Sequence, residues 1–156
     1  MKRIVTLLVV TFAFGCANAQ KLRGSDIPPS AKQTFTQKFP DAKDVKWEKE
    51  DDGSIEAEFK SGKSKYSATF DQAGKWLETE SEIKKSELPG AVLATITKEF
   101  SGFKIEDVER LETPDQGKLF EVKLEKKEIS YEVQFNETGK VIKKEKEEKK
   151  DEKKKD

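Results

Sequence analysis

Residues 65–76, KYSATFDQAGKW, return in altered form at residues 130–141, SYEVQFNETGKV. Tyr66, Phe70, Gly74 and Lys75 are matched by Tyr131, Phe135, Gly139 and Lys140, each 65 positions later. Both stretches alternate: Tyr66, Ala68 and Phe70 against Lys65, Ser67 and Thr69, and Tyr131, Val133 and Phe135 against Glu132 and Gln134. A period of two means a strand with one buried and one wet face. Asp71-Gln72-Ala73-Gly74 and Asn136-Glu137-Thr138-Gly139 then read as type I turns closed by a glycine in the left-handed region. Asp71 is placed to cap its turn with its side chain. These loops predict that Phe70 pairs with Trp76 and Phe135 with Val141.

Upstream of each turn the same order of signals recurs. Ile27-Pro28 and Leu88-Pro89 precede stretches with a helical apolar stripe. The first carries Ala31, Thr34, Phe35 and Phe39; the second carries Val92, Ile96 and Phe100, with Leu93 beside them. Proline suits a first helical turn, where its missing N–H costs nothing, and Pro40 and Gly102 are stop signals. Strand alternation follows at Val45 and Trp47, at Ile55, Ala57 and Phe59, and at Phe120, Val122 and Leu124. Asp51-Asp52-Gly53 and Ser61-Gly62-Lys63 read as turns. From Lys75 through Ser81 to Ser86 the chain should lead as a strand into the second helix. In the second copy, Trp47 falls opposite Arg110 or Leu111. The expected fold class is α+β: a tandem repeat of helix plus antiparallel three- to four-stranded sheet, helices packed on one sheet face. The boundaries are 27–83 for the first unit and 84–142 for the second, after a linker at 20–26. Units of ~60 residues bury too little surface to be robust alone, so the two should pack together.

The ends have different compositions. Lys2 and Arg3, an apolar run from Ile4 to Phe14 and Ala17-Asn18-Ala19 are the parts of a signal peptide at residues 1–19, cut after Ala19. The run is shorter than the ~20 residues a permanent span needs. The alternative is a lipoprotein signal with Cys16 as the lipid anchor, although Ala13-Phe14-Gly15 matches that box poorly. The expected location is the periplasm or the exterior, with no transmembrane helix in the mature chain. Residues 143–156, KKEKEEKKDEKKKD, are all charged and read as a solvated, disordered tail.

Composition narrows the chemistry. Histidine is absent, and the one cysteine lies inside the signal, so a cut after Ala19 leaves no Ser–His or Cys–His nucleophile pair and no disulfide. Without Lys2 and Arg3 the balance is 29 basic against 31 acidic residues, a net charge of −2 with no general attraction to nucleic acid. No cofactor is implied: glycine-rich phosphate loops are missing, and a zinc site would need carboxylates alone. Ser81-Glu82-Ile83-Lys84 matches S-x-x-K, but its partner motifs are absent. Asp51-Asp52-Gly53 lacks the remaining ligands of a calcium loop. Asn136-Glu137-Thr138 fits a glycosylation sequon that the turn already accounts for.

With those residues placed, the chain resembles the bacterial PepSY-like proteins, also called β-lactamase-inhibitor-like. The resemblance runs from about Ile27 to Ile142. It rests on Ile27-Pro28, on Phe39-Pro40-Asp41-Ala42 with Val45 and Trp47, on Tyr66 through Trp76, and on the second copy of each. It implies an exported tandem of α/β units; enzyme inhibition enters only as a fold analogy. Phe100 is followed by Ser101 where the first copy has Pro40, a departure from the pattern.

Trp47, Trp76, Tyr66 and Tyr131 share parity with the buried sets and are assigned to the core. What remains is the open sheet face. Glu56, Glu58, Lys65, Ser67, Thr69, Leu77, Glu121, Lys123, Glu132, Gln134 and Ile142 fall on it and form the candidate protein-binding surface. The expected function is a non-catalytic, exported binding module for an envelope or extracellular protein or peptide, inhibition of an envelope enzyme being one form of it. The alternative is a structural or stress-related envelope protein acting through its charged tail. An unrecognised hydrolase ranks last.

Overall fold

Gly74 and Gly139 both sit in the left-handed region, at φ +83° and +79°. Around each glycine the same hydrogen bonds close a three-residue loop. Gly74 N–H donates to Asp71 O and Lys75 N–H to Asp71 Oδ1, both at 2.9 Å. Gly139 N–H donates to Asn136 O at 2.9 Å and Lys140 N–H to Asn136 Oδ1 at 3.0 Å. The predicted pairs Phe70 with Trp76 and Phe135 with Val141 form, each beside a β-bulge that inserts Leu77 or Ile142.

The computed structural model describes residues 20–147. Along them run β1 (Gln20–Lys21), α1 (Pro29–Lys38), β2 (Lys43–Lys49), β3 (Ile55–Ser61), β4 (Ser64–Phe70) and β5 (Trp76–Glu82). After a short 3-10 turn at Lys85–Glu87 come α2 (Gly90–Glu99), β6 (Lys104–Thr113), β7 (Gly117–Lys126), β8 (Ile129–Asn136) and β9 (Val141–Glu147). The signal at 1–19, its cut and the Cys16 alternative lie outside the described residues, as does 148–156.

The expected tandem of helix-plus-sheet units is not what forms. All nine strands make one antiparallel sheet in the order β1 to β9, and the chain is mostly β, with only two α-helices among the described residues. The joint is β5 with β6, where Thr79, Glu80, Ser81 and Glu82 pair with Glu112, Leu111, Arg110 and Glu109. Separate units would each have left a row of unpaired N–H and C=O groups at that edge; pairing them removes both edges at once. Two boundaries move as well. Gln20–Lys21, placed in a linker, pairs with Glu48 and Lys49. β9 runs to Glu147, so the first five residues of the all-charged stretch belong to the sheet.

Both helices cover the same face. Ala31 and Phe35 of α1 pack on Ala57, Phe59, Ala68 and Phe70, and Val92 and Ile96 of α2 pack with Phe100 on Val122, Val133 and Phe135. Trp47, Trp76, Tyr66 and Tyr131 flank these clusters as expected. The position matching Trp47 is Val108, which pairs with Val122 as Trp47 pairs with Ala57; it is neither Arg110 nor Leu111. The helices are fastened to the glycine turns. Thr34 Oγ1 donates to Gly74 O and Thr95 Oγ1 to Gly139 O, each at 2.8 Å. A Cβ on Gly74 would stand 2.6 Å from Ala31 N, and one on Gly139 2.4 Å from Ala91 O. Gly62, at φ +61°, has nothing within 4 Å of such a Cβ.

Gly74→Val and Gly139→Val are therefore expected to cost about 2–4 kcal/mol, from backbone strain plus helix displacement. Gly62→Val should cost about 1–2 kcal/mol, from strain alone. Urea melts with equal losses at all three positions would refute this assignment. Thr95→Val should cost about 1 kcal/mol in the same melts, through one lost hydrogen bond.

Candidate functional site

The sheet face away from the helices is lined by the even-numbered side chains of β3 and by the residues paired with them. Cross-strand pairs place Glu56 against Thr69, Glu58 against Ser67, Ser67 against Glu80 and Thr69 against Glu78. Further along, Glu82 faces Glu109, Glu109 faces Glu121, Glu121 faces Gln134 and Gln134 faces Lys143. Three glutamates thus stand directly opposite one another on three adjacent strands, an arrangement that like-charge repulsion disfavours.

The face is concave. Glu78 on β5 feels the charge of Lys143 on β9, and Glu80 feels both Glu56 on β3 and Glu121 on β7. Leu111 and Leu119 point to this face and are each 2% exposed although no helix among the described residues lies over them, and β-bulges bend the strands at four of the pairings. The sheet therefore curls, with this face inside and the helices outside.

Curling takes the carboxyls out of water. Glu56 is only 5% exposed, and Glu78, Glu80, Glu109, Glu121 and Glu132 are half-buried. Burial, then the neighbouring Glu50, pushes Glu56 up to about 8. Burial, then Glu78, pushes Glu80 up to about 9. Burial, reinforced by Glu121, lifts Glu78, Glu109 and Glu132 each to about 7. Glu50 shares a hydrogen bond with Glu56, and Glu132 shares one with Glu147. Two carboxyls can join in this way only with a proton between them. At the β9 end, burial pushes Glu147 up, but Lys123 together with Ser130 and Glu132 outweighs it and holds the carboxylate below its usual range, with Lys123 Nζ 2.9 Å from Oε1.

Of the eleven candidate residues, two groups come together. Glu56, Ser67 and Thr69 form one, with Ser67 hydrogen-bonded to Glu56. Glu121, Gln134, Lys123 and Glu132 form the other, with Gln134 Nε2 donating to Glu121 Oε2 at 2.8 Å. Glu58 and Lys65 are exposed at the margin, and Lys65 faces Lys60 rather than a carboxylate. Leu77 is half-buried and Ile142 is 37% exposed, both at bulges.

Sequence reasoning missed the centre: Glu78, Glu80, Glu82 and Glu109. The alternation of Glu78, Glu80 and Glu82 after Trp76 was the available signal. It was masked because the opposite face there carries Thr79 and Ser81, both buried but neither apolar. Leu111 and Leu119 also face inward, directly opposed and each 2% exposed.

Other motifs yield no chemistry. Asn136 Oδ1 accepts hydrogen bonds from Thr138 N–H, Thr138 Oγ1 and Lys140 N–H, a turn role that occupies the sequon. Ser81 is buried on the helix side, and the Lys84 backbone N–H donates to Glu87 Oε2. Among the described residues no group of three or more acidic side chains is arranged to hold a metal ion, and no helix is long and apolar enough to cross a membrane.

The raised carboxyls have a consequence for stability. The folded chain keeps protons that the unfolded chain, with carboxyls near 4.5, has already released. Their contribution is complete below about pH 4.5 and is lost as the pH climbs through about 7 to about 9. Unfolding free energy should fall from pH 5 towards pH 9, by up to ~1.4 kcal/mol per pH unit for each extra proton held. Glu80→Gln should flatten the profile. Denaturant melts that are level across this range in the unaltered chain would contradict the burial of these groups.

Comparison with known proteins agrees with this architecture. The profile of the family described as "Putative beta-lactamase-inhibitor-like, PepSY-like" matches residues 53–143, leaving α1 and β2 outside the match. The chain is similar to a BLIP-like protein from Bacteroides fragilis, with 25% identity over 77% of this chain and 87% of that one and a TM-score of 0.68. It shares its fold with DUF2874-family proteins from Bacteroides uniformis and Bacteroides ovatus, each 21% identical, with TM-scores of 0.69 and 0.70. Those matches cover 77% and 78% of this chain and 89% of each relative. No curated protein matches the chain. Residues 53–143 span more than half of its 156 residues, from the β2–β3 turn into β9, and on that match the chain belongs to the PepSY-like, β-lactamase-inhibitor-like family.

Proposed function

We propose that the chain is an exported, non-catalytic module that docks a protein or peptide on the inner face of its curled sheet. The observation that carries this reading is the face itself. It is concave, uncovered by the chain's own helices among the described residues, and lined at its centre with Glu56, Glu78, Glu80 and Glu109, which are half-buried or buried with no ion pair among the described residues. A protein that needed only a soluble outer surface would leave such groups fully in water. Inhibition of an envelope enzyme is the form of docking that the family description and the BLIP-like relative suggest. Export follows from the signal-like residues 1–19, with the mature chain beginning at Gln20. The charged stretch supports a structural role less well, because β9 draws its first five residues into the sheet.

The test is site-directed photo-cross-linking in the native envelope. A cross-linker at Glu58, at the margin of the inner face, should capture a discrete partner; one at Gln37, exposed on α1, should not. No adduct from Glu58, or the same adduct from both positions, would overturn the docking reading. Mass measurement of the mature chain should place its first residue at Gln20, and a lipid-bearing Cys16 would overturn that part.

A further inference from the structure

The chain is rich in lysine, yet lysine is kept away from the middle of the inner face. Among the described residues, the ion pairs on this face are Lys123 with Glu147 and Lys143 with Glu145, both involving β9. Lys46 faces Glu58 and Lys65 faces Lys60, at the β2–β4 side. Between these margins Glu56, Glu78, Glu80, Glu109 and Glu121 make no ion pair within 4.0 Å among the described residues. The groups facing them add no cation at close range. Glu80 meets Ser67 on β4 and Leu111 on β6, with Glu56, Glu78, Glu109 and Glu121 around it. Glu109 meets Glu82 on β5 and Glu121 on β7, with Asp107 nearby. Glu78 meets Thr69 on β4 and lies near Glu121 and Lys143. Glu121 meets Gln134 on β8, whose amide donates to it.

Two further features narrow the occupant. Leu77 and Ile142 stand at the bulges, Ile142 37% exposed, and Leu111 and Leu119 face inward beside Glu80, so the carboxyls have hydrocarbon next to them. Carboxyls beside a little exposed hydrocarbon suit a side chain with an aliphatic stem and a cationic head. The face is also strand-built and curled, which favours an extended segment over a helix, whose diameter is roughly 10–12 Å. An anionic ligand would find no cation at the centre of the face, and the described residues hold no arrangement for a metal ion.

We propose that the inner face seats a lysine- or arginine-bearing extended segment of the partner protein, its cations supplying the counter-charge to Glu56, Glu78, Glu80, Glu109 and Glu121 that the chain's own lysines do not. This rests on the docking reading above and names the chemistry of the docked segment. Seating a cation favours the carboxylate form, so the protons held by Glu56, Glu78, Glu80 and Glu109 leave to solvent. Affinity rises with pH until the free face is itself ionised.

Calorimetry on the full mature chain tests this, with a synthetic peptide alternating lysine and serine as probe and one alternating glutamate and serine as control. The lysine peptide should bind about tenfold or more tightly at about pH 8.5 than at about pH 6, with net proton release into the buffer. The glutamate peptide should not bind. A Glu80→Gln, Glu109→Gln, Glu121→Gln variant should lose about tenfold or more in affinity and most of its pH dependence. These changes remove repulsion and keep side-chain shape, so its melting temperature should not fall; Glu109→Gln alone is the fallback and should weaken binding in the same direction. Equal binding of the two peptides, unchanged affinity in the variants, or affinity independent of pH would overturn the proposal. If a partner captured by cross-linking binds the triple variant as well as the unaltered chain, the cationic seat fails while the docking module stands.

Discussion

The fold turns on the close approach of each helix to a turn glycine, fixed by a hydrogen bond from a helix threonine to the glycine carbonyl. Thr34 Oγ1 meets Gly74 O and Thr95 Oγ1 meets Gly139 O, both at 2.8 Å. The approach is possible only because a glycine lies beneath each helix, where a Cβ would strike helix backbone. The bond brings the first turns of each helix down on the end of a hairpin. That seats Phe35 over Phe59 and Phe70, and Phe100 beside Phe135. With the helices held to one face, the apolar face of every central strand is decided, since a slip of one residue would turn each side chain over.

The inner face follows from the same constraint by subtraction. Two short helices on the outside leave nothing of the described chain to cover the other side. Curling then crowds its carboxyls, which respond by holding protons. The cost of this crowding is partly met at the β9 end by Lys123 with Glu147 and Lys143 with Glu145. Glu56, Glu78, Glu80 and Glu109 have no such relief among the described residues. Enclosed carboxyls without a cationic partner are what the proposed docking of a partner would use.

The outer face is finished differently. Lys38 lies 3.4 Å from the Trp76 ring centroid, and Lys144 lies 4.0 Å from that of Tyr131. Each ammonium caps an aromatic at the border of a core, where the ring is only partly buried. The same residue type thus shields apolar rims outside and is withheld from the acidic centre inside. The β9 edge carries alternating lysine and glutamate, a composition that discourages further strand pairing.

Alternation and turn chemistry are local, so they were readable in the chain. The helices over Ala31–Phe35 and Val92–Ile96, the strands ending at Phe70 and Phe135, the two glycine turns and the inward parity of the aromatics came from periods of 3.6 and 2. Nine of the eleven candidate residues lie at one parity of these strands, with Glu58 and Lys65 at the margin, while Leu77 and Ile142 stand at bulges and fall out of it. What could not be read was the pairing of β5 with β6, because Thr79 and Ser81 offer no apolar period and edge pairing leaves no mark in a single strand. That non-local contact made one sheet of what looked like two units, and with it came the row of Glu82, Glu109 and Glu121. Curvature likewise belongs to no residue. The chain by itself determined which side chains are greasy and where it turns; only the assembled sheet decided which carboxyls meet, because that distance is set by strands far apart in sequence.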